Sequence, residues 1–209
     1  MQITEIFHSL QGEGPDTGKP TVFVRTAGCN LRCAWCDTSY SFGEGTPMSV
    51  EEIVAKVRTY PVRNVCLTGG EPLLQKDAPE LIRALSDAGY TTVIETGGSM
   101  DISPYLDIPR AVISLDVKCP SSAMEGRNRR ENLPLLRATD TVKFVVADRK
   151  DYEFARRMVA EAHFPCAVVF QPVWGRDASE LAGWVLADGL DVRMMLQQHK
   201  HIWGDVPGR

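Results

Sequence analysis

The stretch GCNLRCAWCDT places three cysteines within eight positions, Cys29, Cys33 and Cys36. Thiolates bind zinc and iron–sulfur clusters, but a structural zinc site is normally closed by four ligands, commonly from two Cys-x-x-Cys pairs. Only one such pair is present, and His199 and His201 are too close together to match the usual His-x₃₋₅-His spacing. An electron-transfer cluster also takes four cysteines. Three thiols at this spacing therefore suit a four-iron cluster whose fourth iron stays open to bind a substrate and pass it an electron.

The composition argues against several classes of function. The chain has 209 residues, 44% of them apolar, so we expect one well-buried core and a single domain over residues 1–209. The net charge of -4, without a basic stripe, argues against a nucleic-acid partner. No stretch approaches the ~18 apolar residues of a membrane span, and the N-terminus lacks a signal-peptide pattern. We therefore expect a cytoplasmic protein without a membrane partner, with reduced thiols and with Cys66 and Cys166 buried as small hydrophobes.

Short apolar runs with strand character alternate with helical patterns along the chain. Strands are expected at 21–27, 64–67, 91–95, 111–117, 142–146, 167–170 and 192–196, and one helix at 152–162. Capping boxes of Ser49 with Glu52 and of Asp77 with Glu80 predict two further helices, and Gly89 is placed to end the second of them. This alternation predicts an α/β fold with a parallel sheet, open or curled into a barrel. The ligand then belongs at the carboxyl ends of the strands.

Two glycine-containing loops follow successive strands at that edge. The segment TGGEP begins at Thr68, and the segment ETGG begins at Glu95. A glycine there lets the backbone approach a ligand that a side chain would block. The next strand ends with Asp116 and Lys118, which are two positions apart and so on one face. This pair fits either a ligand contact or a solvated ion pair.

Arg25 interrupts the apolar run from Val22 to Val24, on the strand that enters the cysteine loop. An unpaired guanidinium would be costly to bury there, and an anionic partner would offset that cost. Planar, bidentate capture of a carboxylate is the recognition for which arginine is best suited. Arg25 therefore indicates a carboxylate-bearing ligand close to the cysteines.

The spacing Cys29-x₃-Cys33-x₂-Cys36, with Trp35 before the last cysteine, resembles the signature of the radical S-adenosylmethionine (SAM) superfamily. The resemblance implies a [4Fe-4S] cluster on the three cysteines, with SAM chelating the open iron and cleaved to a 5′-deoxyadenosyl radical. It also implies a partial (β/α) barrel, trimmed here to about six core parallel strands with few helices. The residues that it implies at SAM are Trp35, Cys36, Asp37, Gly70, Ser114, Asp116, Lys118 and Gln171.

A narrower resemblance depends on four further features. These are the motif LQGEG from Leu10, Arg25, the Cys-Asp-Thr that ends at Thr38, and the segment QQHK from Gln197. Together they resemble the 7-carboxy-7-deazaguanine synthase family, lyases that contract 6-carboxy-5,6,7,8-tetrahydropterin to 7-carboxy-7-deazaguanine with loss of ammonia, in queuosine or archaeosine biosynthesis. The resemblance implies Mg²⁺ at Thr38 and no catalytic side chain beyond the cluster and the SAM radical. The residues that it implies around the pterin are Leu10, Gln11, Gly12, Glu13, Arg25, Thr68, Glu95 and His199.

The family resemblance further implies a homodimer, with flavodoxin or ferredoxin as electron donor. Two alternatives stay open at this point. Asp116-Val117-Lys118 is similar to the Asp-x-Lys of glycyl-radical activating enzymes, which act on a protein partner. A zinc-stabilised binding module is the other, and it would be colourless, whereas an iron–sulfur protein is brown with a broad absorbance near ~400 nm.

Overall fold

The computed structural model describes residues 1–209, which form one nine-stranded sheet and five α-helices. The strands are β1 (Gln2–Leu10), β2 (Pro20–Thr26), β3 (Thr46–Pro47), β4 (Asn64–Gly69), β5 (Thr91–Thr96), β6 (Ala111–Val117), β7 (Thr141–Val146), β8 (Ala167–Pro172) and β9 (Arg193–Met194). The helices are α1 (Val50–Val57), α2 (Ala78–Asp87), α3 (Arg149–Ala162), α4 (Ala178–Ala187) and α5 (Gln198–Trp203). None of the helices combines the length and the hydropathy of a membrane span.

The sheet has the strand order β3-β1-β2-β4-β5-β6-β7-β8-β9. β1 pairs antiparallel with both β2 and β3, and every neighbouring pair from β2 to β9 is parallel. Six of the parallel strands are six or seven residues long, and β9 has only two. The predicted α/β fold with about six core parallel strands and few helices is confirmed. The sheet is not closed, because β3 and β9 are left as its two edges.

All seven predicted strands are present, but the last is shorter than predicted. β9 covers Arg193–Met194 instead of 192–196, and it pairs with β8 alone, through Val169 and Phe170. β1 was not predicted. Ile3 is the only one of its nine residues that is fully buried, so no alternation of apolar and polar residues marks it as a strand.

One of the two predicted capping boxes forms. Glu52 N donates to Ser49 Oγ at 3.2 Å, and Ser49 N donates to the Glu52 carboxylate at 2.8 Å. The box predicted at Asp77 is wrong: its side chain caps nothing, because its backbone (φ -88°, ψ 3°) lacks the extended conformation of a capping residue. Its carboxylate lies 3.4 Å from the N-terminal ammonium of Met1. Gly89 does follow the end of α2, with φ +84°.

The longest helix, α3, begins at Arg149, three residues before the predicted 152–162, because the Asp148 side chain caps the helix by accepting from Asp151 N at 3.0 Å. The helices α4 and α5 were not predicted. Alternate strand residues divide between two environments. On β6, Ile113, Leu115 and Val117 join a core cluster of 36 buried residues. Their neighbours Ser114 and Asp116 line a cavity instead.

Candidate active site

A cavity of about 450 Å³ lies at the carboxyl ends of the parallel strands. This volume is in the range of small-molecule sites. All of the predicted site residues line it: Leu10, Gln11, Gly12, Glu13, Arg25, Cys29, Cys33, Trp35, Cys36, Asp37, Thr38, Thr68, Gly70, Glu95, Ser114, Asp116, Lys118, Gln171 and His199. Residues up to 189 positions apart in sequence thus share one cavity, because successive parallel strands end at the same edge of the sheet.

The cysteine loop follows β2 and is fixed to the fold by its backbone. Gly28 N donates to Ser41 O at 2.7 Å, and Ala34 N donates to Ser122 O at 3.1 Å. The three cysteines are partly exposed to the cavity. Burial raises the pKa of the thiols of Cys29 and Cys33.

No group of three or more His, Cys, Asp or Glu side chains is close enough to hold a single metal ion. A zinc ion needs its sulfur ligands ~2.3 Å from one centre. In a four-iron cluster each thiolate binds a different iron, so the sulfur atoms stand further apart. The loop therefore does not present a set of side chains gathered around one zinc centre.

The other three cysteines do not line the cavity. Cys66 and Cys119 are buried, and burial raises the pKa of both thiols well above the ordinary value. Cys66 is therefore a buried small residue, as predicted. Cys166 is only half-buried, although it packs against the core, and burial raises the pKa of its thiol to about 11. Cys166 was predicted to be buried but is only partly buried, because this residue precedes β8 and does not lie inside the strand.

The glycine loop after β4 packs directly on the cysteine loop. A Cβ added at Gly70 would lie 2.2 Å from Gly28 O and 2.8 Å from Cys29 Cβ. Glu71 N donates to the same Gly28 carbonyl at 2.9 Å. Position 70 therefore requires glycine because its backbone packs against the cysteine loop, whether or not a ligand also comes close to it.

Glu71 joins the two glycine loops. Its buried carboxylate accepts from Leu73 N at 3.1 Å, from Thr96 Oγ1 at 2.9 Å and from Gly97 N at 2.8 Å. Burial raises the pKa of this carboxyl, although the hydrogen bonds oppose that shift. The Gly-Gly-Glu segment thus fixes the relative positions of the β4 and β5 loops, and its glutamate does not line the cavity.

Four alternating charges cross the cavity wall from the β1–β2 loop to the end of β6. Lys143 Nζ bonds the carboxylate of Glu13 and lies 3.9 Å from Asp116 Oδ2, which pairs with Lys118 Nζ at 2.9 Å. Each side chain is 13–16% exposed, so the Asp116–Lys118 pair is not the solvated ion pair considered above. Although burial disfavours the ammonium, the carboxylates of Glu13 and Asp116 raise the pKa of Lys143 far above its ordinary value. Lys143 was missed, but it interrupts the apolar run VKFVV as Arg25 interrupts VFVRT.

Two acceptor atoms in the cavity wall have no partner in the chain. Asp116 Oδ1 and Gln171 Oε1 are both buried without a hydrogen bond, although both residues line the cavity. A buried acceptor without a donor is costly, and each such group requires an explanation. A ligand that carries ammonium and hydroxyl donors, as SAM does, would satisfy both. The residues at the ends of β6 and β8 therefore fit this cofactor.

The opposite half of the cavity is organised by Gln11. Its side-chain oxygen accepts from Gly12 N at 2.9 Å and Glu13 N at 3.3 Å, and its nitrogen donates to Glu95 at 3.2 Å. Glu95 also accepts from Thr68 Oγ1 at 3.0 Å. Gln11 thus fixes its own loop and the carboxylate of Glu95, and Glu13 and Glu95 present acidic acceptors to the cavity.

The C-terminal segment closes this half. Gln197 donates to Glu13 at 2.8 Å and to Asp37 at 3.1 Å, and Lys200 Nζ lies 2.9 Å from the Asp37 carboxylate. Although burial opposes ionisation, Lys200 holds the pKa of Asp37 well below its usual range. His199 packs against Gly12, where any Cβ would overlap its ring, and burial lowers the pKa of this imidazole. The segment QQHK was recognised in the sequence, but roles for Gln197 and Lys200 were not.

Arg25 has a partner within the chain. Its Nε donates to Glu5 Oε1 at 2.8 Å, and the Tyr40 hydroxyl donates to the same oxygen at 2.9 Å. The anion that offsets the burial of Arg25 is therefore supplied in part by Glu5, which was not predicted. Nothing in the sequence near Glu5 marks it, because β1 itself carries no strand signal.

The arrangement defines a class of protein. The sequence profile of the Radical SAM superfamily matches residues 23–145, and the chain belongs to that superfamily. The fold agrees with SuiB from Streptococcus suis bound to its precursor peptide, with a TM-score of 0.62 at 13% identity, over 83% of this chain and 47% of that one.

Curated relatives narrow the class to one family. The chain is 43% identical over 208 residues to the 7-carboxy-7-deazaguanine synthase of Thermoplasma acidophilum, covering 100% of both chains. It is 45% identical to that of Koribacter versatilis, over 97% of each chain. The crystal structure of QueE from Escherichia coli matches with a TM-score of 0.78 at 26% identity, over 95% of this chain and 94% of that one. The chain belongs to the 7-carboxy-7-deazaguanine synthase family.

Membership of this family confirms the predicted radical SAM lyase class, with a [4Fe-4S] cluster and SAM as its cofactors. It does not favour the glycyl-radical alternative. In this chain the Asp-x-Lys residues on which that alternative depended, Asp116 and Lys118, form a partly buried ion pair at the cavity.

Proposed function

We propose that this chain converts 6-carboxy-5,6,7,8-tetrahydropterin into 7-carboxy-7-deazaguanine, with ring contraction and loss of ammonia. The observation that carries the proposal is the placement of Arg25. It lines the same cavity as Cys29, Cys33 and Cys36, and its two terminal nitrogens donate to no group of the protein. A guanidinium in this state suits a carboxylate ligand.

The cofactor half of the cavity has its own donors and acceptors. When bound, the [4Fe-4S] cluster and SAM supply an electron and the 5′-deoxyadenosyl radical that takes hydrogen from C6 of the substrate. The three cysteines would hold the cluster, and the unpaired acceptors of Asp116 and Gln171 would receive hydrogen bonds from SAM. Lys118 keeps its ammonium charge because Asp116 outweighs the effect of burial, so it suits the SAM carboxylate. Trp35, Asp37, Gly70 and Ser114 complete this wall.

The substrate half matches the polarity of a pterin. The amino and ring N–H groups of a pterin are donors, and Glu13 and Glu95 present carboxylates to the cavity. Although burial opposes ionisation, Lys143 lowers the pKa of Glu13 and keeps it an acceptor. Thr68 and Gln11 hold Glu95 in place through hydrogen bonds of 3.0 and 3.2 Å. Leu10 and Gly12 line the same wall, and His199 bounds it as a neutral ring.

We propose Thr38 as the protein ligand of a catalytic Mg²⁺. Its hydroxyl lines the cavity beside the cysteine loop and bonds Asp37 at 2.8 Å. A single hydroxyl is a poor magnesium site, and Mg²⁺ keeps several waters, so the substrate carboxylate has to complete the coordination. Metal affinity should therefore depend on substrate.

Titration of Mg²⁺ with and without the pterin tests this proposal, with Thr38→Ser as the variant that keeps the hydroxyl and Thr38→Val as the one that removes it. Substrate should tighten Mg²⁺ binding in wild type and in Thr38→Ser, but not in Thr38→Val. Equal affinities with and without pterin in the wild type would reject the site.

The remaining proposals concern organisation and partners. A single domain over residues 1–209 is supported by the one connected cluster of 36 buried residues. A homodimer, and flavodoxin or ferredoxin as electron donor, are supported by the family resemblance. Sedimentation velocity tests the dimer, and comparison of the two reduced carriers in the activity assay tests the donor.

The function itself is tested by incubating the reconstituted chain anaerobically with SAM, Mg²⁺, a reductant and 6-carboxy-5,6,7,8-tetrahydropterin. Mass spectrometry should detect 7-carboxy-7-deazaguanine. Cys33→Ala should abolish product by preventing correct cluster assembly. Arg25→Ala should raise KM because the carboxylate loses its partner. If the wild-type chain forms 5′-deoxyadenosine but no deazaguanine, its cofactors are active and the pterin is not its substrate. That result would reject the proposed function.

A further inference from the structure

The guanidinium of Arg25 is fixed on one side before any ligand arrives. Glu5 Oε1 accepts from Arg25 Nε, and Tyr40 holds the same oxygen. The Arg25 Cζ lies 5.8 Å from the ring centroids of both Phe7 and Tyr40, and Phe7 stacks on Phe23 at 5.0 Å. Because Nε is occupied, only the end of the guanidinium with its two terminal nitrogens is left for a carboxylate.

A β-bulge places Glu5 at this position. Ile3 pairs with Thr26, and regular antiparallel pairing would then bring Thr4 opposite Arg25. The register shifts between Ile3 and Glu5, so that Glu5 is the residue opposite Arg25. Bulges beside active sites commonly re-aim a side chain in this way. The hydroxyl of Thr4 is left buried without a partner, which is unfavourable for stability.

We propose that Glu5 and Tyr40 are positioning residues that aim Arg25 at the substrate carboxylate and thereby set the preference for a carboxylated pterin. This inference rests on the proposed function. Glu5 has two opposing effects on recognition. It orders the guanidinium in advance, which reduces the entropy lost on binding, but its negative charge also competes for Arg25. Ordering dominates, because Glu5 takes only Nε and leaves both terminal donors free.

The test measures dissociation constants for 6-carboxypterin and for unsubstituted pterin, by pterin fluorescence, on the cluster-loaded chain with SAM. The ratio of the two constants reports recognition of the carboxylate alone. Glu5→Ala removes both charge and acceptor, whereas Glu5→Gln removes the charge and keeps an acceptor for Nε. Tyr40→Phe removes the second hydrogen bond to Glu5. Glu44→Ala is the matched control, because it deletes an exposed acidic residue that does not line the cavity.

Glu5→Ala should reduce the preference for 6-carboxypterin on the order of tenfold, with Glu5→Gln within about threefold of wild type. Tyr40→Phe should fall between them, and Glu44→Ala should match the wild type. A gain in preference in both Glu5 variants would overturn the proposal, since Glu5 would then act as a competitor for Arg25. An equal loss of affinity for both pterins would also overturn it, by showing a general structural role.

A double-mutant cycle with Arg25→Ala completes the test. If Glu5 acts through Arg25, adding Glu5→Ala to that variant should leave the ratio unchanged, and a further fall would contradict the mechanism. Thermal unfolding of each variant checks folding, and Glu5→Gln retains the hydrogen-bond geometry if Glu5→Ala does not fold. A wild-type chain that shows no preference for 6-carboxypterin would refute the proposed function itself, before any variant is compared.

Discussion

The contact between the glycine loop and the cysteine loop leads to a prediction for Gly70→Ala. The new methyl group would lie 2.2 Å from Gly28 O and 2.7 Å from Gly28 C, whereas ordinary contacts begin at 3.4 Å. Both atoms belong to backbone, and Gly28 O is further held by the hydrogen bond from Glu71 N at 2.9 Å. The overlap therefore cannot be relieved by a side-chain rotation, and one loop has to move by ~1 Å, a displacement that typically costs ~100-fold in rate when it misplaces reacting groups.

Forcing an extra methyl group into a packed interior costs about 1–3 kcal/mol. For a chain of this size, ~2 kcal/mol corresponds to a fall in Tm of ~4–8 °C. The loop against which the new methyl group would press carries Cys29. We therefore expect Gly70→Ala to lower three quantities together: the Tm of the cluster-free chain, the iron content after reconstitution, and kcat/KM by on the order of 100-fold.

Calorimetry of the cluster-free chain is the decisive assay. If Gly70 served only to admit a ligand, Gly70→Ala would weaken SAM binding and leave the Tm of the cluster-free chain unchanged. Gly126→Ala is the control, because a Cβ there meets nothing within 4 Å and should change stability by less than ~0.5 kcal/mol. A cluster-free Gly70→Ala chain with the wild-type Tm would refute the reasoning.

Three further predictions concern charge, pH and a helix terminus. Lys143→Met should lower the free energy of unfolding in urea by about 3–5 kcal/mol, because Glu13 and Asp116 lose a buried partner. Adding Glu13→Gln should recover part of that loss, and no recovery would contradict the explanation. Burial lowers the pKa of His199 in the folded chain. Below about pH 6.5 the imidazole is therefore protonated more readily in the unfolded chain, and the free energy of unfolding falls as the pH drops from there towards the pKa of the folded state. His199→Gln should flatten the stability profile below about pH 6.5, and an unchanged slope there would show that another group is responsible. Ser49→Ala should cost about 1 kcal/mol through loss of the cap on α1 and leave the activity unchanged.

Much of the fold and the list of candidate site residues could be predicted from the sequence. The parallel strands were predictable because their apolar runs are buried on the core side, as at Val65 and Leu67 on β4. The strand β1 was not, because its residues are mostly half-buried, and its bulge at Thr4 depends on pairing with β2. The capping box predicted at Asp77 failed for a related reason, since the backbone there is set by the surrounding fold and not by the local residues.

By itself the sequence determined which chemistry the chain carries. The spacing of the three cysteines is a local property of one loop, and the glycine pair at the end of β4 is likewise a local feature of the sequence. The tertiary structure decided which charged side chains of the site meet each other. Glu5 beside Arg25, Lys143 between Glu13 and Asp116, and Lys200 on Asp37 all join distant parts of the chain. The physical reason is that a buried charge has to find its partner in space, and no local pattern in the chain records which partner that will be.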